Sequence, residues 1–173
     1  MRSGFVTLVG RPNVGKSTLV NAMCGRKVSI VSDKPQTTRH RVMGVLSTDD
    51  SQIVFVDTPG LHKPVTALGE RVNATALDSV SDVDVVCLVI DATMPFGKGD
   101  KWVASHLDMS KAIVILNKVD RAKQHQILGL RALAEPESRQ RRGVGRVGVA
   151  AARKERALNF CLQHFRFLTT TAA

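Results

Sequence analysis

The sequence has no tyrosine, one tryptophan and only three cysteines among its 173 residues. The cysteines lie far apart, at Cys24, Cys87 and Cys161. They form no CxxC pair, so neither structural zinc nor a disulfide framework is expected, and we interpret them as small buried hydrophobic residues. The longest apolar run, residues 83–92, contains two aspartates and is too short to span a bilayer. The first run, residues 5–9, leads into a glycine loop, unlike a signal peptide. These absences predict a soluble intracellular protein.

Positive charge is unevenly distributed along the chain. The formal net charge is +10, and residues 136–173 carry eight basic and two acidic side chains. This excess suits contact with a polyanion. A solvated or disordered tail is the alternative, and charge alone favours that alternative. The chain length and the hydrophobic content of 43% suit one domain with a packed core.

Apolar runs alternate with amphipathic segments over the first 135 residues. The pattern predicts strands at 5–9, 41–48, 52–57, 83–91 and 111–117, and helices at 17–25, 68–80, 99–108 and 122–135. Asp-Asp-Ser joins the second and third strands, which predicts a hairpin there. The expected fold class is α/β, a doubly wound and mostly parallel sheet with one antiparallel hairpin strand and helices on both faces. Polar motifs follow three of the strands and should converge at one edge of the sheet.

The first motif, GRPNVGKS (10–17), fits GxxxxGK[ST] between a strand and a helix. Gly10 and Gly15 allow successive backbone N–H groups to point at phosphate oxygens, and the helix N-terminus favours the same anion. Lys16 is predicted to bridge the β- and γ-phosphates, and the Ser17 hydroxyl to ligate Mg²⁺. A tight turn that contains Lys-Ser by chance is the alternative, but the flanking strand and helix argue against it.

The second motif, DTPG (57–60), begins forty residues after Ser17. Asp57 is predicted to hold Mg²⁺ through a water, and the Gly60 amide to face the γ-phosphate. Pro59 and Gly60 form a bend able to move when that phosphate leaves. Alone, the motif is an ordinary turn at the end of a strand; its position after a phosphate loop makes it a functional candidate.

The third motif, NKVD (117–120), predicts the base. The Asp120 carboxylate can accept hydrogen bonds from both N1–H and N2–H₂ of guanine, whereas adenine has no N2 donor. Such a pair of bonds discriminates by about 10⁴–10⁵-fold. Asn117 is expected to bind the base and tie its loop to the phosphate loop, and the Lys118 stem to pack on the ring. A polar turn is the alternative.

These motifs, with KPQTTRHRV.G (34–44), resemble the Era family of translation-factor-like P-loop GTPases over about residues 1–135. The resemblance implies a P-loop GTPase fold and a slow GTP-hydrolysing switch that acts in small ribosomal subunit assembly. It also implies a following KH domain that binds 16S rRNA, and because residues 136–173 are too few for that domain, we expect this chain to lack it. A monomer in a bacterial-type cytoplasm, with peripheral contact at the inner membrane, is a further implication.

Carried onto this sequence, the resemblance assigns the two switch loops. Lys34–His40 becomes the first switch, in which Thr38 is our choice for a Mg²⁺ ligand and Thr37 the alternative. Residues 57–68 become the second switch. Metal ligands are then expected at Ser17, Thr38 and Asp57, and catalytic roles at Lys16, Asn13, Thr38 and Gly60. The expected nucleotide-binding residues are Gly10, Arg11, Pro12, Asn13, Val14, Gly15, Lys16, Ser17, Thr18, Asp57, Thr58, Pro59, Gly60, Asn117, Lys118, Val119 and Asp120.

Leu61 stands where some GTPases place a water-orienting glutamine. The resemblance implies a class with an apolar residue here, and we interpret the adjacent His62 as an exposed switch residue. In related potassium-activated GTPases, an Asn at the position of Asn13 helps to hold K⁺ beside the phosphates. K⁺ is therefore a second expected cation, placed to neutralise developing charge as an arginine finger does.

The resemblance weakens after residue 135. VGVAA (147–151) lies near the place where the family has a strand ending in Ser-Ala, and Leu158–Leu168 has the spacing of a closing amphipathic helix. A degenerate last strand and helix is one interpretation of 136–173, and a shifted or truncated reading frame is the other. Two functional alternatives are a guanine-nucleotide-binding fragment without productive hydrolysis and a P-loop kinase, which NKVD disfavours.

Overall fold

The strands and helices alternate along the chain, as the hydrophobic pattern predicts. The computed structural model describes residues 2–28, 42–49, 51–57, 61, 70, 73–74, 76–77, 80, 83–109, 112–134 and 147–148. Within these, the strands are β1 (Arg2–Val9), β2 (Val42–Ser47), β3 (Ser51–Asp57), β4 (Val85–Asp91), β5 (Ala112–Asn117) and β6 (Val147–Gly148). The helices with continuous bounds are α1 (Lys16–Cys24), α2 (Lys98–Ala104) and α3 (Gln124–Ala134). Six described residues between 70 and 80 are also helical.

The strands form one sheet in the order β2-β3-β1-β4-β5-β6. All neighbours are parallel except the hairpin β2–β3, so the predicted fold class is confirmed. Leu8 pairs with Asp57, and Asp91 pairs with Asn117. The carboxyl ends of β1, β3, β4 and β5 therefore lie along one edge, where ligands bind in such sheets.

Apolar side chains cover both faces of the sheet. In β4, Cys87 and Val89 belong to the cluster that also contains side chains of α1, whereas Leu88 and Ile90 belong to the cluster that Leu130 of α3 joins. A continuous apolar run is buried because alternate residues face two different helical layers. No helix among the described residues is long and apolar enough to cross a membrane.

Two element bounds differ from the sequence prediction for identifiable reasons. β1 begins three residues earlier than expected because Arg2, Ser3 and Gly4 pair with β3 from Ser51 onward. α2 ends at Ala104 rather than at residue 108, since the Trp102 carbonyl contacts Ser105 Oγ at 2.8 Å and His106 Nδ1 at 2.7 Å. Side chains that bond the last turn compete with continuation of a helix.

The predicted last strand falls partly within the described residues. Val147 and Gly148 pair in parallel with Val114 and Ile115 of β5. The other residues of 136–173, including Leu158–Leu168, lie outside the described part of the chain.

Candidate functional site

The loop between β1 and α1 has three residues with positive φ, namely Gly10 at 152°, Asn13 at 62° and Gly15 at 97°. Lys16, the first residue of α1, is buried, and its Nζ donates to the carbonyl oxygens of Gly10 at 3.0 Å and Arg11 at 2.9 Å. The ammonium is thus fixed beneath the curled loop. Because α1 begins directly after this loop, the positive end of its dipole is directed at the loop, and no side chain caps it.

Both glycines of the motif are required by close contacts. A Cβ atom at Gly10 would lie 2.5 Å from the Val89 carbonyl oxygen, and one at Gly15 would lie 2.3 Å from Asn117 Nδ2. The Gly10 carbonyl also accepts a bond from the Leu61 amide at 3.0 Å. The loop is therefore packed against β4, the end of β5 and Leu61, which follows β3 in the chain.

Asn117 joins the NKVD loop to the phosphate loop. Its buried Nδ2 donates to the Val14 carbonyl oxygen at 2.8 Å. Lys118 adds a second link, because its Nζ donates to the Asn13 carbonyl oxygen at 2.8 Å. Two motifs separated by about a hundred residues in sequence thus form one bonded unit.

Asp91, at the end of β4, is a component that the motif analysis missed. Its Oδ2 lies 2.7 Å from Lys118 Nζ, and its Oδ1 accepts from the Thr93 amide at 2.9 Å and the Thr93 hydroxyl at 2.6 Å. Burial alone would raise the pKa of Asp91, but the bonds from Lys118 and Thr93 outweigh burial and lower it. The available signal was an acidic residue ending a buried strand at the same edge as the motifs.

The ion pair of Arg11 with Asp100 is another contact that the sequence did not predict. Arg11 Nε lies 2.7 Å from Oδ1 of Asp100, which is buried in the first turn of α2. The other oxygen, Oδ2, accepts from the Gly97 amide at 3.0 Å. The ion pair connects the phosphate loop to α2 over 89 residues, a separation at which a local pattern gives no signal.

The remaining predicted residues occupy varied environments. Asp120 is exposed on the turn after β5, and its Oδ2 lies 3.7 Å from Arg121 Nε. Asp57 ends β3 beside Leu8. Val14 belongs to the cluster that α1 joins, and Val119 packs against the other cluster, which Leu130 joins. Pro12 and Ser17 are half-buried, and Asn13 and Thr18 are exposed. The predicted residues outside the described part of the chain are Lys34–His40 with Thr37 and Thr38, Thr58, Pro59, Gly60 and His62.

Leu61 is fully buried among core residues that include Val9 and Leu88. Its side chain therefore points into the core and cannot align a water molecule for hydrolysis. This placement fits the sequence expectation that Leu61 does not supply the polar group that a glutamine provides elsewhere.

The residue types at this edge are ones that Mg²⁺ uses together with phosphates. Ser17 lies in the first turn of α1, and Asp57 is the last residue of β3. Mg²⁺ commonly uses one or two protein ligands together with substrate phosphates and waters. Over the described ranges, no group of three or more His, Cys, Asp or Glu residues could hold a metal alone.

A phosphate loop at the end of β1, bonded to an NKVD loop at the end of β5, defines the class of P-loop nucleotide-binding proteins. The family described as 50S ribosome-binding GTPase matches residues 5–118. The chain belongs to this GTPase family.

Individual relatives point to one branch of the family. The chain is 50% identical over 128 residues to GTPase Era of Clostridium perfringens (strain 13 / Type A) and 52% identical over 128 residues to GTPase Era of Clostridium botulinum (strain Alaska E43 / Type E3). Each match covers 73% of this chain and 43% of the relative. The chain thus spans less than half the length of these relatives.

A solved structure is similar over nearly the whole chain. It is a crystal structure of Era in complex with MgGDPNP and nucleotides 1506–1542 of 16S ribosomal RNA. Its TM-score is 0.83 at 34% identity, with 98% of this chain and 57% of that chain covered. The predicted resemblance to Era is confirmed at the level of sequence and fold.

Proposed function

We propose that this chain binds guanine nucleotides and hydrolyses GTP slowly, as a switch of the Era type. The observation that carries the proposal is the bonded unit of two motifs, in which Asn117 Nδ2 reaches the Val14 carbonyl and Lys118 Nζ reaches the Asn13 carbonyl. This unit holds the phosphate-binding and base-binding elements at a fixed distance from each other. Family membership and the likeness to a structure containing MgGDPNP support it.

In this proposal the phosphate loop supplies electrostatic stabilisation. The backbone N–H groups of Asn13–Ser17 and the N-terminus of α1 receive the phosphates. Lys16, whose ammonium is fixed by the Gly10 and Arg11 carbonyls, presents positive charge to the β- and γ-phosphate oxygens. A charge that is fixed before the reaction needs no reorganisation as negative charge shifts in the transition state.

Base selection is assigned to the NKVD loop. Asp120 accepts from N1–H and N2–H₂ of guanine, and the Lys118 stem packs on the ring face. Calorimetric titration of the purified protein with GTP and with ATP tests this assignment. GTP should bind at least about 10³-fold more tightly, since adenine leaves the carboxylate unpaired. Equal affinities would overturn the base assignment.

The cations come from the family resemblance and the donor set. Mg²⁺, when bound, neutralises phosphate charge, and Ser17, Asp57 and Thr38 would hold it. Asn13 is proposed to hold K⁺ beside the phosphates. Hydrolysis rates in K⁺ and Na⁺ at equal ionic strength test the second cation, and identical rates would refute it.

A role in small ribosomal subunit assembly is proposed from the Era relatives alone. Contact with 16S rRNA would use the basic residues of 136–173, which makes the affinity salt-dependent and insensitive to sequence. The resemblance also suggests a monomer in the cytoplasm with peripheral contact at the inner membrane. RNA filter binding at two salt concentrations tests the RNA contact, and the absence of binding at low salt would refute it.

The alternative is a fragment that binds guanine nucleotides without productive hydrolysis. This alternative is retained because the match covers 43% of the length of GTPase Era of Clostridium perfringens (strain 13 / Type A). Single-turnover hydrolysis on folded protein separates the two functions.

A further inference from the structure

Asp91, at the end of β4, belongs to none of the three nucleotide motifs and yet lies at the centre of a polar network. Asp91 is only 8% exposed, yet both of its carboxylate oxygens are bonded. Oδ2 pairs with Lys118 Nζ at 2.7 Å, and Oδ1 accepts from the amide and hydroxyl of Thr93. A buried carboxylate that is removed from water must be compensated in this way. The network therefore fixes the position of the Lys118 ammonium.

Lys118 also has an unusual backbone conformation. Lys118 has φ of 58°, a left-handed conformation that costs free energy for a residue with a Cβ. Its Nζ is held at one point by two acceptors on different elements, Asp91 Oδ2 and the Asn13 carbonyl. With both the backbone and the side-chain end fixed, the methylene stem between them is fixed as well.

The network continues to α3. The Thr93 carbonyl accepts a bond from Gln126 Nε2 at 3.0 Å, and Gln126 Oε1 accepts from the Lys123 amide at 2.8 Å, just before α3 begins. Gln126 therefore holds the carbonyl of Thr93, while the amide and hydroxyl of Thr93 orient Asp91. The segment after β5 is anchored at Lys118 through Asp91 and at Gln126 through Thr93, on both sides of Asp120.

We propose that Asp91 is a positioning residue for guanine recognition, which acts by holding Lys118 so that the NKVD loop is ordered before the nucleotide arrives. This inference rests on the proposed function, because it assumes that NKVD binds the base. A loop that is ordered in advance loses less conformational entropy on binding. Asp91 would thus strengthen guanine binding without contacting the nucleotide.

The bonds at position 91 require a carboxylate rather than an amide. An Asn at position 91 has a single acceptor oxygen. If that oxygen served Thr93, the amide N–H₂ would face the Lys118 ammonium, and if it served Lys118, the N–H₂ would face the Thr93 amide N–H. One donor–donor conflict remains in either orientation. Asp91→Asn is nearly isosteric and yet should weaken the hold on Lys118, either by losing the Lys118 bond or by losing the Thr93 bonds that orient the side chain.

The first experiment compares Asp91→Asn with Asp84→Asn, measuring Kd for GTP and GDP by calorimetry. Asp84 lies just before the opposite end of β4 and accepts from the Phe5 amide at 2.7 Å, so it controls for loss of a bonded carboxylate. Asp91→Asn should weaken both nucleotides about tenfold, as expected for one lost bond between charged groups, whereas Asp84→Asn should leave them unchanged. In steady state, KM should rise with kcat changed by less than twofold.

A double-mutant cycle separates positioning from general destabilisation. If Asp91 acts through Lys118, Asp91→Asn combined with Lys118→Met should bind GTP about as weakly as Lys118→Met alone. Additive losses would show that Asp91 acts by another route and would overturn the inference. The ratio of GTP to ITP affinity should stay within twofold of wild type in Asp91→Asn, because a loop that is less ordered in advance weakens both nucleotides by the same factor. A ratio that fell more than threefold would show that Asp120 itself is misplaced in the bound state and would overturn advance ordering.

Thr93→Val provides a second route if Asp91→Asn does not fold. This change removes the hydroxyl bond at 2.6 Å and keeps the backbone bond to Asp91, so GTP should bind about twofold to fivefold more weakly. If this variant and any folded Asp91→Asn protein bound GTP as tightly as wild type, the inference would be overturned and the proposed function would stand. Failure of the wild-type chain to bind GTP would overturn the proposed function and the inference with it.

Discussion

Asp120 lies on the turn after β5 with its side chain about half open to solvent. In the proposed site it accepts two N–H groups of guanine. Asp120→Asn replaces the carboxylate by an amide, which suits the C2 carbonyl of xanthine. We expect GTP affinity to fall by roughly 10²–10⁴-fold, as for two lost bonds to a charged acceptor, and XTP to bind more tightly than GTP. Calorimetry with both nucleotides measures the change, and unaltered GTP affinity would refute the base assignment.

Asp91 gives the site a pH dependence whose sign follows from the pKa. The bonds from Lys118 and Thr93 lower the pKa of Asp91 below its ordinary 3.8 in the folded chain. Its contribution to stability is therefore present above pH 3.8 and is lost as the pH falls through the lowered value.

The unfolding free energy of Asp91→Asn should therefore lie below that of wild type at pH 7. The difference should narrow as the pH falls below 3.8, because the wild-type carboxylate becomes protonated there. Urea unfolding across this range, followed by the fluorescence of Trp102, measures the difference. A deficit that stayed constant through the acid range would contradict the assignment.

At the scale of elements, two glycines in different settings make a matched pair. Gly15 has φ of 97° and a Cβ there would contact Asn117, whereas a Cβ at Gly129 in α3 would meet nothing within 4 Å. Gly15→Ala should lower the unfolding free energy by about 1–3 kcal/mol and weaken nucleotide binding. Gly129→Ala should raise the unfolding free energy by about 0.5–1 kcal/mol, since Ala favours a helix. Urea unfolding of both variants checks the opposite signs, and changes of the same sign would contradict the difference in setting.

The pattern of apolar residues is a good guide to elements whose burial is continuous or periodic. It predicted β4 within two residues and the start of α1 within one, because the flanking polar and glycine residues mark the ends. The pattern failed at element ends that depend on contacts with other residues. The start of β1 depends on β3, and the end of α2 depends on side chains that bond the Trp102 carbonyl.

The candidate site divides in the same way. Fixed spacing in the sequence specifies the phosphate loop and NKVD, so both motifs were predictable. Asp91 and the Arg11–Asp100 pair were not, because each acts through a contact with a residue far along the chain. Such contacts have no local signature.

At the scale of the whole molecule, one sheet face must be covered beyond the reach of α1. Cys87, Ile113 and Ile115 are buried on the sheet face where α1 packs over β2 and β3. We propose that the tail supplies a last strand and helix that cover β4 and β5 on this face. The pairing of Val147 and Gly148 with β5 supports the strand.

Thiol labelling tests the proposed cover in a background of Cys24→Ser and Cys161→Ser, where Cys87 alone reacts. Ending the chain at residue 135 should raise the labelling rate of Cys87 at least tenfold, because its buried thiol becomes accessible. Circular dichroism of the same samples establishes whether the shortened chain keeps its helices. An unchanged rate in a folded, shortened chain would show that the tail leaves this face uncovered and would favour a shifted reading frame.

The switch function depends on whether GTP is cleaved at this site. Single-turnover conversion of GTP to GDP, with folded protein in excess and Mg²⁺ and K⁺ present, measures this directly. Lys16→Ala serves as the matched blank, because it removes the ammonium held beneath the phosphate loop. We predict conversion by wild type that exceeds both the blank and the protein-free reaction. Binding of GTP with no conversion above the blank would contradict a hydrolysing switch and leave a guanine-nucleotide-binding fragment.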